Sequence, residues 1–284
     1  MALVVNSNPT AMNALGDLNR TNRSLNSTFQ NISSGLRINN AADDGAGLGV
    51  AENLKAEQMS LRQAHRNTND GISVIQTAEG ATNEVSDILK RMRELAVQSS
   101  SETLHNDERA YIQDEFVQLS DEVDRISQVT EFNGIALSNG AAGLTGTNEM
   151  NVQVGIHDST DDRIAINLGD LRSTTLGVSD AGASGVISLE NVASAQAAIT
   201  QLDAALNTVN EYRSDYGAVQ NRLESALDNL EVYTENVASA ESRIRDADFA
   251  FETAEMSKFQ IMQQAGVAIL GQANGMSQGA LRLI

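Results

Sequence analysis

The sequence predicts a mainly α protein: an elongated helical bundle and coiled coil of N- and C-terminal segments, with a small β-hairpin region. Three observations predict it. Apolar side chains recur at alternating spacings of three and four along most of the 284 residues. The only proline is Pro9, so every later helix is free of that breaker. Only the stretch from Phe132 to Glu190 leaves the helical period, and it is rich in Gly, Ser, Thr and Asn.

The elements follow in order. Ser7 or Asn8 before Pro9 makes an N-cap and a first helical turn. The helix behind it carries the seam Leu15, Leu18, Asn22, Leu25, Phe29, Ile32 and Leu36, long enough for a coiled coil but marginal for a helix alone. Gly45-Ala46-Gly47-Leu48-Gly49 reads as a bend between helical segments. Ile75, Ala78, Thr82, Val85, Leu89, Met92 and Ala96 form the seam of a helix from about Gly71 to Ser99. Ile112, Phe116, Leu119, Val123 and Ile126 form another, from about Asn106 to Gln128.

Asn133-Gly134 and Asn139-Gly140 are turn signals. Met150, Val152 and Val154, then Ile164, Ile166 and Leu168, alternate as the strands of a hairpin with a loop of about six residues over His157–Asp162. The longest seam runs from Ile199 through Leu202, Leu206, Val209, Tyr216, Leu223, Leu227 and Leu230 to Val237. The last is Phe259, Met262, Gly266, Ile269, Ala273, Met276 and Ala280. Each terminal seam needs a partner, and the most economical one is the other end of the chain.

Composition excludes more than it includes. With no Cys there is no disulfide framework, thiol nucleophile or Cys-based metal site. A net charge of −19 repels phosphates and anionic lipid, which argues against nucleic acid as a partner, and no apolar run is long enough for membrane insertion. The start, MALVVNSNPT, lacks the features of a cleavable secretory signal. The charge is uneven: residues 101–255 carry 28 acidic and 8 basic side chains, whereas the flanking segments are near neutral. Neutral ends can pack against one another at little Coulomb cost while an acidic middle stays solvated.

No cofactor or catalytic constellation emerges. His65, His105 and His157 lie in separate segments without ligand spacing. The Gly45–Gly49 run fits neither dinucleotide nor P-loop spacing. Asp158, Asp161 and Asp162 lack the Gly and Glu of a calcium loop and read as a solvated hairpin tip. Arg91, Arg93 and Glu94, with Glu115 on the next helix, read as a solvent-facing charge ladder.

Longer blocks carry a family resemblance. Ser33-Ser34-Gly35-Leu36-Arg37-Ile38-Asn39 with Asp43-Asp44, Asn69-Asp70-Gly71-Ile72-Ser73, Gln76-Thr77-Ala78-Glu79-Gly80-Ala81, Arg93-Glu94-Leu95-Ala96-Val97-Gln98 and Phe132-Asn133-Gly134 stand in order in the first half. Glu241-Ser242-Arg243-Ile244-Arg245-Asp246-Ala247-Asp248, Gln263-Gln264-Ala265-Gly266 and Gln272-Ala273-Asn274 follow. The chain resembles bacterial flagellin, the subunit of the flagellar filament. The resemblance implies a terminal coiled-coil inner domain lining the filament channel, residues 1–40 plus 240–284. It implies a helical rod domain, 41–239, with the hairpin at about 150–168 and no large variable outer domain. It implies a non-enzymatic, self-assembling homopolymer in the extracellular flagellum, exported unfolded by the flagellar type III apparatus. The partners implied are a flagellar export chaperone, the filament cap and the hook–filament junction proteins. Arg91, Leu95 and Glu115 match positions that contact the host Toll-like receptor for flagellin, a surface also buried between protofilaments. A hook–filament junction protein, which shares related ends, and a soluble coiled-coil binding module are the alternatives.

Overall fold

The computed structural model describes residues 8–141, 148–179 and 187–281, with side chains as far as Gly275. Among the described residues six helices and four short strands follow one another: α1 (Pro9–Ser34), α2 (Gly45–Ser99), α3 (Asn106–Val129), β1 (Glu131–Phe132), β2 (Ile135–Ala136), β3 (Glu149–Gln153), β4 (Arg163–Asn167), α4 (Ser173–Leu176), α5 (Val192–Arg245) and α6 (Phe249–Leu281). They form two compact units. Unit 1 joins the residues up to Gln58 with those from Glu235 onward, and unit 2 is Met59–Thr234. Unit 1 thus takes the start of α2 and the end of α5 in addition to the two terminal segments.

In unit 1, α1 begins where Pro9 sets the first turn and the Asn8 side chain accepts from the Ala11 N–H. It ends at Gly35, whose φ of 72° is the left-handed conformation of a helix C-cap. The next helix starts earlier than the apolar spacing predicts. The Asp44 carboxylate accepts from the N–H groups of Ala46 and Gly47, 3.1 and 2.9 Å away, and so caps α2. The Gly45–Gly49 run is therefore the first turn of a 55-residue helix, not a bend. A Cβ at Gly47 would meet the buried Ile38 at 2.9 Å, so the absent side chain lets the connection fold tightly over the helix start.

Unit 2 has two clusters of buried side chains. In the first, Val85, Leu89, Met92 and Leu95 of α2 meet Phe116 and Val123 of α3 and Leu202 and Val209 of α5. In the second, Val74, Ile75 and Ala78 of α2 pack with Val152, Ile164 and Ile166 of the β3–β4 hairpin and with Tyr216 and Leu223 of α5. Gly71 lies inside α2, where a Cβ would stand 3.0 Å from Val152. It is the point at which the hairpin presses on the helix, not the helix start that the spacing suggested.

Asn133 and Gly134, at φ 51° and 77°, make the two-residue turn between β1 and β2, a left-handed conformation that Asn tolerates and that Gly, with no Cβ, adopts freely. The β3–β4 register pairs Met150 with Ile166 and Val152 with Ile164. The ladder closes early, because the N–H groups of Val154 and Gly155 both donate to the Asp162 carbonyl. Regular pairing ends at Gln153 and Arg163, which lengthens the loop beyond the expected His157–Asp162. The long C-terminal seam belongs to α5, which starts at Val192, before Ile199, and ends at Arg245, beyond Val237.

Candidate assembly surfaces

Within unit 1, α1 and α6 run antiparallel. Asn8 donates to the Ala273 carbonyl at 3.0 Å, Gln263 to the Asn22 side chain at 2.8 Å, and Asn31 to the Glu252 carboxylate at 3.1 Å. The pair is closed at one end by backbone: the Arg37 N–H donates to the Arg245 carbonyl at 2.7 Å, and the Ala247 N–H to the Gly35 carbonyl at 3.0 Å. Leu36 and Asp246 form an antiparallel bridge there. The side chains fully buried in α1 are Thr21 and Thr28, and those in α6 are Glu252 and Ala273. Leu18, Leu25, Ile32, Leu36 and Phe259 are half-buried beside them. A Cβ at Gly266 would sit 3.2 Å from Leu18, which places that glycine in the seam.

The seam therefore keeps Leu18, Leu25, Ile32, Phe259, Gly266 and Ala273 and corrects the alternate positions by one residue. Leu15 and Phe29 face outward, as do Met262 and Ile269. Their places are taken by Ala14, Thr21 and Thr28 on α1, and by Gln263 and Leu270 on α6. The face turned inward mixes small and amide side chains, which close it through hydrogen bonds, with the half-buried Leu18, Leu25, Ile32 and Phe259. Leu15, Phe29, Met262 and Ile269 join Met12, Phe249, Phe251, Ile261 and Val267 in an apolar surface outside the pair. Met276, the last expected seam residue, lies beyond the described side chains. The repeat of Ala14, Thr21 and Thr28 every seven residues was the available signal, but a reading by hydrophobicity passes over it.

Unit 2 carries the charge ladder. The Arg91 guanidinium donates to the Glu115 carboxylate at 2.9 and 3.1 Å and to Glu94 at 3.0 Å. The bonds to Glu115, then those to Glu94, raise the pKa of the guanidinium above its usual value. Arg93 turns the other way and pairs with Asp203 of α5 at 2.6 Å. Leu95 departs from the expected surface. It is 1% exposed and belongs to the α2–α3–α5 core, so its side chain presents nothing to a partner. Arg91 and Glu115 alone stand on the surface.

Composition and spacing had not marked Arg109. It is 5% exposed, and its guanidinium donates to the carbonyls of Ser99 and Ser101 and to the Asn106 side chain. The Ser99 carbonyl is one of the orphan acceptors at the end of α2, so the cation complements the negative end of the helix dipole. No sequence pattern announces this, because the acceptors are main-chain groups brought back by the turn between α2 and α3.

The chain matches the bacterial flagellin N-terminal helical region over residues 5–154 and the bacterial flagellin C-terminal helical region over residues 199–284. It is 40% identical to a flagellar filament 33 kDa core protein of Treponema phagedenis, over 99% of this chain and 100% of that one. It is 41% identical to a flagellin of Halalkalibacterium halodurans, again over 99% and 100%. A structure from Vibrio parahaemolyticus, described as that of a flagellar hook-associated protein, shares the fold with a TM-score of 0.57 and 15% identity, covering 72% of this chain and 100% of that chain.

Proposed function

The chain belongs to the bacterial flagellin family and is a structural subunit of the flagellar filament, and from that premise we propose how it assembles. The antiparallel pair of α1 and α6 is the inner, channel-lining element. Its outward apolar face is covered by the same elements of neighbouring copies. The observation that carries this reading is the division of the apolar residues: Leu18, Leu25, Ile32 and Phe259 turn partly into the pair, while Leu15, Phe29, Ile261, Met262, Val267 and Ile269 stay outside it. A single copy has no use for Phe29, Ile261 or Val267 in water, and burying them between copies supplies the driving force for polymerisation.

The charge distribution supports the same arrangement. The near-neutral terminal segments meet inside, while the segment with 28 acidic side chains stays solvated. Export in an unfolded state by the flagellar type III apparatus, with an export chaperone, and folding at the tip beneath the filament cap suit a chain with no cysteine and one proline. Such a chain has almost no slow isomerisation to complete. Junction proteins join the filament to the hook. Recognition by the animal Toll-like receptor for flagellin rests on Arg91 and Glu115, with Leu95 supporting them from beneath.

Deleting residues 1–40 or 250–284 tests the role of the ends. Each truncation should abolish seeded polymerisation, read by sedimentation, and leave the helical circular-dichroism signal of unit 2. A truncated chain that still forms filaments would contradict the assignment.

A further inference from the structure

The surface of unit 2 holds two stripes of charge that the chain itself does not neutralise. Lys90, Arg91, Arg93, Arg125, Arg163 and Arg172 each hold a carboxylate. Among the described residues Arg62 and Arg66 do not: both are exposed, and Arg66 donates only to Gln63 on its own helix. With Met59, which is 60% exposed, they occupy positions i, i+3 and i+7 of α2, one face of the helix. That face points away from Leu61, Ala64 and Thr68, which are buried. Residues 58–69 contain no Asp or Glu, in a chain where acids outnumber Lys and Arg two to one.

The complement lies on α5. Glu224, Asp228 and Glu231 are exposed at i, i+4 and i+7, and Val232 beside them is 58% exposed. Among the described residues none of the three carboxylates pairs with a cation, and Glu224 accepts only from Gln220. Residues 223–234 contain no Lys or Arg. Both stripes span seven residues, roughly 10 Å of helix at 1.5 Å per residue.

We infer that these stripes are the two halves of one interface: the Arg62–Arg66 face of α2 docks on the Glu224–Asp228–Glu231 face of α5 in a second copy of this chain. The inference rests on the filament reading and names a lateral contact within it. Inside unit 2, α2 and α5 run antiparallel, since Gly71 lies beside Leu223 while Arg93 pairs with Asp203. Two copies side by side in the same orientation therefore bring α2 of one antiparallel to α5 of the next, a heterologous contact that propagates. With Met59 set against Glu231 and the neighbouring Val232, Arg62 falls opposite Asp228, and Arg66 opposite Glu224. Copies carrying −19 each repel at most orientations, and this is a place where approach is attractive. The stripes thereby select the face on which copies meet.

The test uses the full chain and reads the critical concentration for seeded polymerisation. Arg62→Glu with Arg66→Glu, and separately Glu224→Lys with Asp228→Lys, should each raise it by about tenfold or more, because like charges then face one another. The four-residue swap should return it to within about threefold of the parent, because opposite charges meet again. A change below about twofold in either reversed variant, or a swap no better than its parts, would overturn the pairing. Should a reversed variant lose its helical signal, Arg62→Gln with Arg66→Gln carries the test: a rise of about threefold supports the pairing, and no rise refutes it. A parent chain that forms no polymer would instead contradict the filament reading itself, which separates the two failures.

Discussion

Replacing Phe29 by alanine strips apolar surface from a side chain that the single copy leaves 64% exposed. A phenylalanine brings roughly 200 Å² to an interface, so about 130 Å² of Phe29 is available to a neighbour. Alanine retains a minor part of that, and the lost roughly 100 Å² is worth about 2.5 kcal/mol at 25 cal/mol per Å² if the neighbour covers it fully. Each 1.4 kcal/mol is a factor of about ten, so the critical concentration for polymerisation should rise between about tenfold and a hundredfold. Folding of the single copy should hardly change, because Phe29 leaves the seam to Thr28 and alanine is the better helix former. Sedimentation after seeding reads the first quantity, and a thermal melt followed by circular dichroism reads the second. A critical concentration within twofold of the parent would refute the reasoning. So would a melt lowered by several degrees, which would mean that Phe29 packs inside the copy after all.

Three further perturbations bear on unit 2. Gly71→Leu should lower its stability by about 1–3 kcal/mol, seen as a lower melting temperature, since the new side chain must displace Val152 and Leu223. Arg109→Met should cost about 2–4 kcal/mol by leaving the Ser99 and Ser101 carbonyls without their cation, and Arg109→Lys should not restore it, because an ammonium lacks the fork that reaches three acceptors. Asp170 gives a pH signature. Burial opposes its charge, but the bonds from Arg172 and Thr175 outweigh burial and hold its pKa below the usual carboxylate value. A depressed pKa stabilises the fold above the ordinary carboxylate range, and that contribution is lost as pH falls through the folded-state value. Asp170→Asn should therefore melt below the parent at pH 7, with the gap closing as the pH falls below the ordinary carboxylate range.

Much of the fold was legible because it is local. Asn8 and Pro9 mark the start of α1, Asn133-Gly134 marks the first hairpin turn, and the alternation from Met150 to Leu168 marks the β3–β4 pair. The third helix was expected over 106–128 and spans Asn106–Val129. What escaped the sequence is set by what lies across from a residue. Gly71 resembles a helix boundary until Val152 is seen against it. Leu95 shares a helix face with exposed Arg91 by spacing, yet α3 and α5 close over it. Arg109 answers main-chain carbonyls, which carry no sequence signature.

Leu15, Phe29, Met262 and Ile269 left the terminal seam for a different reason. Hydrophobic spacing finds the most apolar face of a helix and assumes that this face is buried within the chain. In a subunit whose ends associate with copies of themselves, the most apolar face belongs to the neighbour. Phe29 and Ile269 were identified as seam residues by their chemistry and are exposed in the single copy. On the proposed assembly that chemistry marks an interface between copies, where the spacing had placed one within the chain.

Electron cryomicroscopy of polymer grown from the purified full chain on short filament seeds tests this most directly. The expected map is a tube with a central channel, with α1 and α6 innermost and Phe29, Ile261 and Val267 in contact with neighbouring copies. A map in which those side chains face water, or discrete particles in place of tubes, would contradict the account.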